Sequence, residues 1–138
     1  MAIKIWNDFY QLEVPLPNSP LKNLNSYLIL SQDRNLLVDT GFNCRECRDA
    51  LFAQLRDLKV DMDRTDILLT HFHADHSGLG IGLVSPHAKI YMTREDAVAL
   101  NQRLDPSFWN SVEELFVKGG FPKSDLSLAA LLNPARLF

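Results

Sequence analysis

Within six residues the chain places three imidazoles and a carboxylate: His71-Phe72-His73-Ala74-Asp75-His76. Three of the protein's four histidines are here. Imidazole and carboxylate together form a ligand set for zinc, iron or manganese. An unperturbed imidazole is mostly neutral at neutral pH and so is ready to ligate. His71 and His73 are two apart, and in extended or tightly looped backbone alternate side chains project to one side. Both can therefore reach one metal, while Asp75 and His76, after a turn of the chain, face a second. Ions in two-metal hydrolytic sites lie roughly 3.5–4 Å apart and lower the pKa of a water they hold from 15.7 towards about 7. A structural zinc site is the competing reading. It calls for Cys ligands or a His-x-His repeat of helical spacing carried on a helix, and this cluster follows a strand.

The elements that must position the cluster are legible on either side of it. The apolar run Ile67-Leu68-Leu69-Thr70 predicts a strand over 66–70 that delivers His71 at its C-terminal end, where open α/β sheets carry their sites. Ser77-Gly78 breaks the chain after it, and Ser77 is a candidate cap for a weak, glycine-rich helix over 79–84. Upstream, residues 2–14 read as one or two strands, and Pro15, Pro17 and Pro20 mark a loop. Residues 26–30 and 35–38 read as a hairpin ending at Asp39-Thr40-Gly41. A helix is predicted from Asn43, an N-cap residue, with Cys47, Leu51, Gln54, Leu55 and Leu58 on its apolar side. Downstream, residues 88–92 read as a strand. Helices are predicted from Thr93 to about Leu104, over 106–118 up to Gly119-Gly120, and from Ser124 to about Leu132. Phe108, Val112, Leu115 and Phe116 fall near helical spacing and predict a core face, with pocket shaping as the alternative, while Glu113 and Glu114 read as a solvated side.

With 138 residues the chain suggests one domain, and 46% hydrophobic content is ordinary for a globular one. A net charge of −3 and a pI near 5.7 favour neither nucleic acid nor an anionic membrane as partner. No run is long enough to span a bilayer. The first residues lack the apolar core of a signal peptide, so a cytoplasmic location is expected. The two cysteines are too few for a disulfide scaffold. Cys44-Arg45-Glu46-Cys47 at a helix start does have the spacing of a thiol redox module, the alternative function from a different class. Against it, Cys47 fits the apolar helix face.

His71-x-His73-x-Asp75-His76 resembles the signature of the metallo-β-lactamase-fold hydrolases, which include glyoxalase II, lactonases and ribonuclease Z-type enzymes. Asn25-Ser26-Tyr27-Leu28-Ile29 resembles that family's early strand and Leu37-Val38-Asp39-Thr40-Gly41 its first motif. Asp66 to Thr70 and Ser77-Gly78-Leu79 resemble the approach to and exit from its metal loop. The likeness extends over roughly residues 24–93. It implies an α/β fold, the N-terminal half of a four-layer αββα sandwich with a mixed sheet and flanking helices. Residues 1–93 would form that half and 94–138 a helical segment. It further implies that His71 and His73 bind a first metal and Asp75 and His76 a second, with two zinc ions expected and iron or manganese as alternatives. Asp39 would support the site from behind by hydrogen bonding, although by residue type alone it is equally a turn residue. Metal-bound hydroxide would then cleave an ester, lactone, thioester or phosphodiester bond of a small-molecule substrate, with Asp75 also accepting a proton. Some relatives instead use a single iron for persulfide oxidation.

The family's site needs a third His for the first metal, a bridging Asp and a further His for the second. The only later histidine, His87, reads as a strand-entry residue. Asp96, Asp105 and Asp125 fall in the helical tail, away from the glycine-rich strand end expected of the bridging Asp. The apolar ending Asn133-Pro134-Ala135-Arg136-Leu137-Phe138 looks cut. The expectation is therefore an N-terminal fragment of a longer enzyme, inactive alone, that binds metal weakly or not at all. It would expose an apolar sheet face and self-associate through it.

Overall fold

Alternation of apolar and polar residues builds the first part of the sheet. In the computed structural model, which describes residues 1–126, the strands Ile3–Trp6 (β1), Phe9–Pro15 (β2), Asn23–Ile29 (β3) and Asn35–Val38 (β4) form an antiparallel meander. Thr65–Leu68 (β5) and Ile90–Tyr91 (β6) extend it in parallel, giving one six-stranded sheet whose spatial order is the chain order. Parallel strands need a crossover, and the helix Arg45–Asp57 (α1) supplies the one between β4 and β5.

One face of the sheet is the core. The register aligns Leu28, Leu37, Ile67 and Ile90 across four strands, and the first three are fully buried. Leu12 and Val14 of β2 join this cluster, as do Cys47, Leu51 and Leu55 of α1. Gln54 is buried on the same helix side and polar. Its Nε2 donates to Glu13 O at 2.8 Å, and its Oε1 accepts from Glu13 N at 3.2 Å. A buried amide satisfied in both directions fixes α1 against β2 more specifically than apolar contact does. The opposite face carries Phe9, Tyr27, Ile29, Val38, Leu68 and Tyr91, none of them buried.

Several predicted boundaries move, each for a local reason. Helix α1 begins at Arg45 behind Cys44, and Asn43 does not cap it, because the Asn43 Oδ1 accepts from Arg48 at 3.0 Å instead. Strand β5 ends at Leu68. Leu69 N still donates to Tyr91 O at 2.8 Å, but Thr70 N turns away from the ladder to the Asp39 carboxylate. The single weak helix after the cluster is two separate turns, Ala74–Ser77 (α2) and Gly80–Leu83 (α3). Ser77 lies inside the first of them and caps nothing. Its hydroxyl is committed to the carbonyls of Phe72 and His73, at 2.9 and 3.0 Å.

Arg94–Leu104 (α4) starts as predicted, with Thr93 Oγ1 accepting from Asp96 N, and Pro106–Lys118 (α5) ends at Gly119. The apolar side of α5 is not core, however. Leu115 is 70% and Phe116 43% exposed, and no residue of the helix is buried. Helical periodicity shows which residues share a face, and burial further requires something to cover it. Residues 123–126 are helical, and the remainder of the helix predicted from Ser124 to Leu132 lies outside the described residues.

Asp66 ties the two halves of the sheet together at the end opposite the cluster. Its Oδ1 accepts from Arg34 Nε at 3.1 Å, Arg34 Nη2 at 2.7 Å and Lys89 N at 2.9 Å. The Arg34 guanidinium, against a smaller burial penalty, holds this carboxyl below the usual carboxylate range. A group with a depressed folded-state pKa contributes stability that is present above its unfolded value of about 3.9 and lost as pH falls through the folded value. Asp66→Asn should therefore lower the urea midpoint at pH 7, and its difference from the parent should shrink as the pH drops below about 4. A difference independent of pH would rule out the carboxylate charge as its source.

Candidate metal centre

The histidine cluster lies just beyond the C-terminal ends of the parallel neighbours β4 and β5, and the residue that organises it is Asp39. Its backbone is in the left-handed region, φ 58°, which Asp tolerates better than most residues. Its amide donates to Leu68 O at 2.9 Å, and its carbonyl accepts from the buried Ser26 hydroxyl at 2.8 Å. Thus anchored, the carboxylate points to the start of the cluster. Oδ1 accepts from Thr70 N, while Oδ2 meets the Thr70 hydroxyl and His76 Nδ1, all at 2.8 Å. Burial works against the charge on Asp39, but the donors from His76 and Thr70 outweigh it and bring its pKa below the ordinary value.

These bonds assign the protons on two rings. Asp39 Oδ2 can only accept, so His76 holds a proton on Nδ1, and in the neutral ring Nε2 is left as a lone pair. The Thr70 hydroxyl spends its one proton on Asp39, so the contact at 3.1 Å from His71 Nδ1 has the imidazole donating. His71 Nε2 is then also a lone pair. It faces His73 Nδ1 at 3.0 Å. His76 Nε2 lies 3.6 Å from Asp75 Oδ2. The Asp39 hydrogen bond raises the pKa of His76 in spite of burial, whereas burial and the neighbouring imidazoles lower that of His71.

The loop carrying these rings is held by backbone bonds that leave little room. The His73 carbonyl accepts from His76 N and Ser77 N, both at 2.9 Å, and from the Ser77 hydroxyl. The His76 carbonyl accepts from Thr40 N and Thr40 Oγ1, at 2.8 and 2.9 Å. Leu79 N donates to Gly41 O at 3.0 Å. Gly78 sits at the closest approach, where a Cβ would lie 2.6 Å from Ala74 O, 2.7 Å from Asn43 N and 2.9 Å from Gly41 O. Gly41 itself has φ 103° and packs on Val14 and Cys47.

The four predicted ligands thus come together: the His71 ring centre lies 4.6 Å from that of His73 and 4.1 Å from that of His76, and Asp75 flanks His76. Among the described residues no group of three or more His, Cys, Asp or Glu side chains is arranged to hold a metal ion. The donor set nevertheless fits a metal. His71 Nε2 and His73 Nδ1 face each other at 3.0 Å, and imidazole nitrogen with carboxylate oxygen is a zinc donor set. The lone pairs that the proton assignment leaves on His71 and His76 are the form in which imidazole ligates.

The other titratable candidates lie elsewhere. His87 is exposed, and its carbonyl accepts from Arg34 Nη2 at 3.0 Å. Asp96 does reach the cluster loop, where its Oδ1 accepts from Phe72 N at 3.2 Å. The sulfurs of Cys44 and Cys47 are 3.3 Å apart, but burial, reinforced by Cys44, pushes the Cys47 thiol up to about 12. That is the opposite of an activated thiolate. Two residues with roles here had no signal in the sequence. Thr70 transmits the Asp39 bond to His71. Arg103, on α4, lays its guanidinium carbon 4.0 Å from the centre of the Phe72 ring and 5.4 Å from that of Phe108. Beside the cluster lies a cavity of about 350 Å³, walled by Phe72, Phe108, Trp109 and Val112, with Arg103 and His73 at its margin.

The model of the metallo-beta-lactamase superfamily matches residues 20–127. Among curated proteins the chain is similar to the probable metallo-hydrolase YqjP of Bacillus subtilis, with 37% identity over 73 residues, 52% of this chain and 22% of that protein. It is also similar to the atrochrysone carboxyl ACP thioesterase of Aspergillus terreus, with 34% identity over 58 residues, 42% of this chain and 18% of that one. The metallo-beta-lactamase family protein TTHA1429 from Thermus thermophilus superposes with a TM-score of 0.72 at 32% identity, over 86% of this chain and 40% of its own. The chain thus matches about a fifth of the length of these curated relatives and two fifths of that solved structure.

The contacts around Gly78 lead to a test. Gly78→Ala should destabilise the protein by about 1–3 kcal/mol, the usual range for overpacking. The atoms it would strike are backbone and cannot rotate away. Unchanged urea unfolding would show that the loop is free to shift.

Proposed function

This chain belongs to the metallo-beta-lactamase superfamily, and from that premise we propose that it carries half of the metal-binding wall of a hydrolase acting on ester-like bonds, thioesters foremost. The observation that supports the reading is the hydrogen bonding of Asp39 and Thr70 to the two Nδ1 atoms, which in the neutral rings leaves His71 Nε2 and His76 Nε2 as lone pairs. His71 and His73 would hold one ion, and Asp75 and His76 a second. Zinc suits the mixed nitrogen and oxygen donors, and iron or manganese would be accepted by the same set. Bound metal supplies Lewis acidity and brings the pKa of water towards neutrality.

The chain's own residues do the remaining work. Asp39 fixes the His76 ring through Nδ1 and the loop start through Thr70, so that neither imidazole needs to reorient to ligate. Asp75, beside His76, is the carboxylate placed to accept a proton from the attacking water. The thioester preference is supported by the name of the Aspergillus relative, and the broader hydrolase reading by that of the Bacillus one.

The intact protein provides the test. Its hydrolysis of an aryl thioester should stop on chelation and return with added zinc. His73→Ala should abolish both metal retention and turnover. Asp39→Asn, which keeps the left-handed turn but alters the hydrogen bond to His76, should lower metal affinity by about 10–100-fold. Metal content and initial rates read these outcomes directly. Full-rate hydrolysis by metal-stripped protein, or by the His73 variant, would overturn the assignment.

A further inference from the structure

The cavity beside the cluster is apolar on most of its wall, and it has one charged group at its margin. Arg103 is permanently cationic. Its Nη1 donates to Ala99 O at 2.9 Å, and its guanidinium carbon lies over the Phe72 ring at 4.0 Å and the Phe108 ring at 5.4 Å. No carboxylate among the described residues pairs with it. Its position is further fixed at the backbone, where its carbonyl accepts from Trp109 Nε1 at 2.8 Å. A guanidinium held beside aromatic rings, with only Nη1 hydrogen-bonded among the described residues, is poised for a planar anion. The volume, about 350 Å³, is at the small end of ligand pockets and suits a ring or short chain.

We propose that this cavity is the specificity pocket for the substrate, and that it selects an apolar acyl or aryl arm bearing a carboxylate or phosphate, which Arg103 binds. The proposal rests on the functional reading above for the word substrate, and on the cavity alone for the ligand chemistry. Because Phe72 and His73 are consecutive in the cluster loop, an arm seated against the Phe72 ring brings the remainder of the molecule to the ligating rings. Helices α4 and α5 thereby acquire a function: they bring Arg103 and the aromatic wall over the loop. The apolar periodicity of α5 divides accordingly. Phe108 and Val112 face the cavity, while Leu115 and Phe116 remain exposed.

The test uses the intact protein stripped of metal by chelation, so that a ligand anion cannot be held by a metal. Calorimetric titration with 4-phenylbutyrate, 4-phenylbutyl phosphate and the neutral 4-phenylbutanamide compares the two anions with an uncharged relative. At least one anion should bind about tenfold more tightly than the amide, and the stronger of the two identifies the preferred group. Arg103→Met should remove that advantage while leaving amide binding within about twofold, and Arg103→Lys should retain part of it. Equal affinities for anions and amide, no binding of any of them, or an Arg103→Met variant that binds the anions as before would overturn the proposal. Loss of the amide together with the anions in both variants would assign Arg103 a packing role and overturn it as well. Failure of the metal reading would appear in metal content and would leave these affinities unchanged.

Discussion

An ionised carboxylate taken out of water is costly unless donors replace the lost hydration, and at Asp39, only 5% exposed, three of them do. Each donor belongs to the loop that the site needs. Thr70 supplies two at the end of β5, and His76 supplies the third from α2. The electrostatic requirement of one buried group is thus met only when the cluster is folded back on β4. The left-handed backbone of Asp39 makes this possible, because it ends the strand and turns the side chain towards the loop in one residue. The same bonds that lower the free energy of the carboxylate also decide which ring nitrogens are left for ligation.

The sheet explains why this happens at β4 and β5. β4 is the strand at which pairing changes from antiparallel to parallel. Its neighbour β5 therefore runs the same way, and both strands end together. A meander alone would have placed the turn after β4 far from the end of β5. Helix α1 makes the crossover, and its buried face fixes where β5 begins. Gln54 locks it to β2, and Gly41 leaves the space in which Cys47 of α1 and Val14 of β2 approach. The glycine at 78 is demanded by the same convergence, since the backbones of residues 41–43 and 74–78 meet there with no space for a side chain.

What could be read from the sequence follows the range of the interactions. The strands, the α1 face and the cap at Thr93 are set by neighbours within a turn or a pleat, and periodicity reveals them. The cluster was legible because its ligands are close in sequence, and Asp39 because a motif resemblance marked it. The local pattern carries β5 two residues too far, since Leu69 and Thr70 are apolar and β-branched but Thr70 N is claimed by a side chain 31 residues away. Ser77 has the residue type of a cap, but its acceptors lie behind it on the loop. Arg103 carried no signal at all. Its meaning depends on α4 and α5 folding back over Phe72, a long-range event that leaves no local pattern.

The pairing of donors bears on what the loop contributes. A tetrahedral zinc site takes four ligands, and a catalytic one takes three from protein with one position left open. On the proposed assignment, His71 with His73, and Asp75 with His76, would each supply two. Two ligands fix an ion's location along the loop but leave its geometry underdetermined, so preorganisation must come from the rigidity of the donors themselves. Here two of the three rings are held at Nδ1, His76 by Asp39 and His71 by Thr70, whereas His73 is exposed and, among the described residues, meets His71 and the Phe72 ring. His73 is therefore the adjustable member. It is also the one that borders the cavity, so an arm bound against Phe72 would restrict the ligand that the hydrogen-bond network leaves loose. Substrate binding and metal geometry would then be coupled through one imidazole, with Asp39 setting the fixed frame against which it moves.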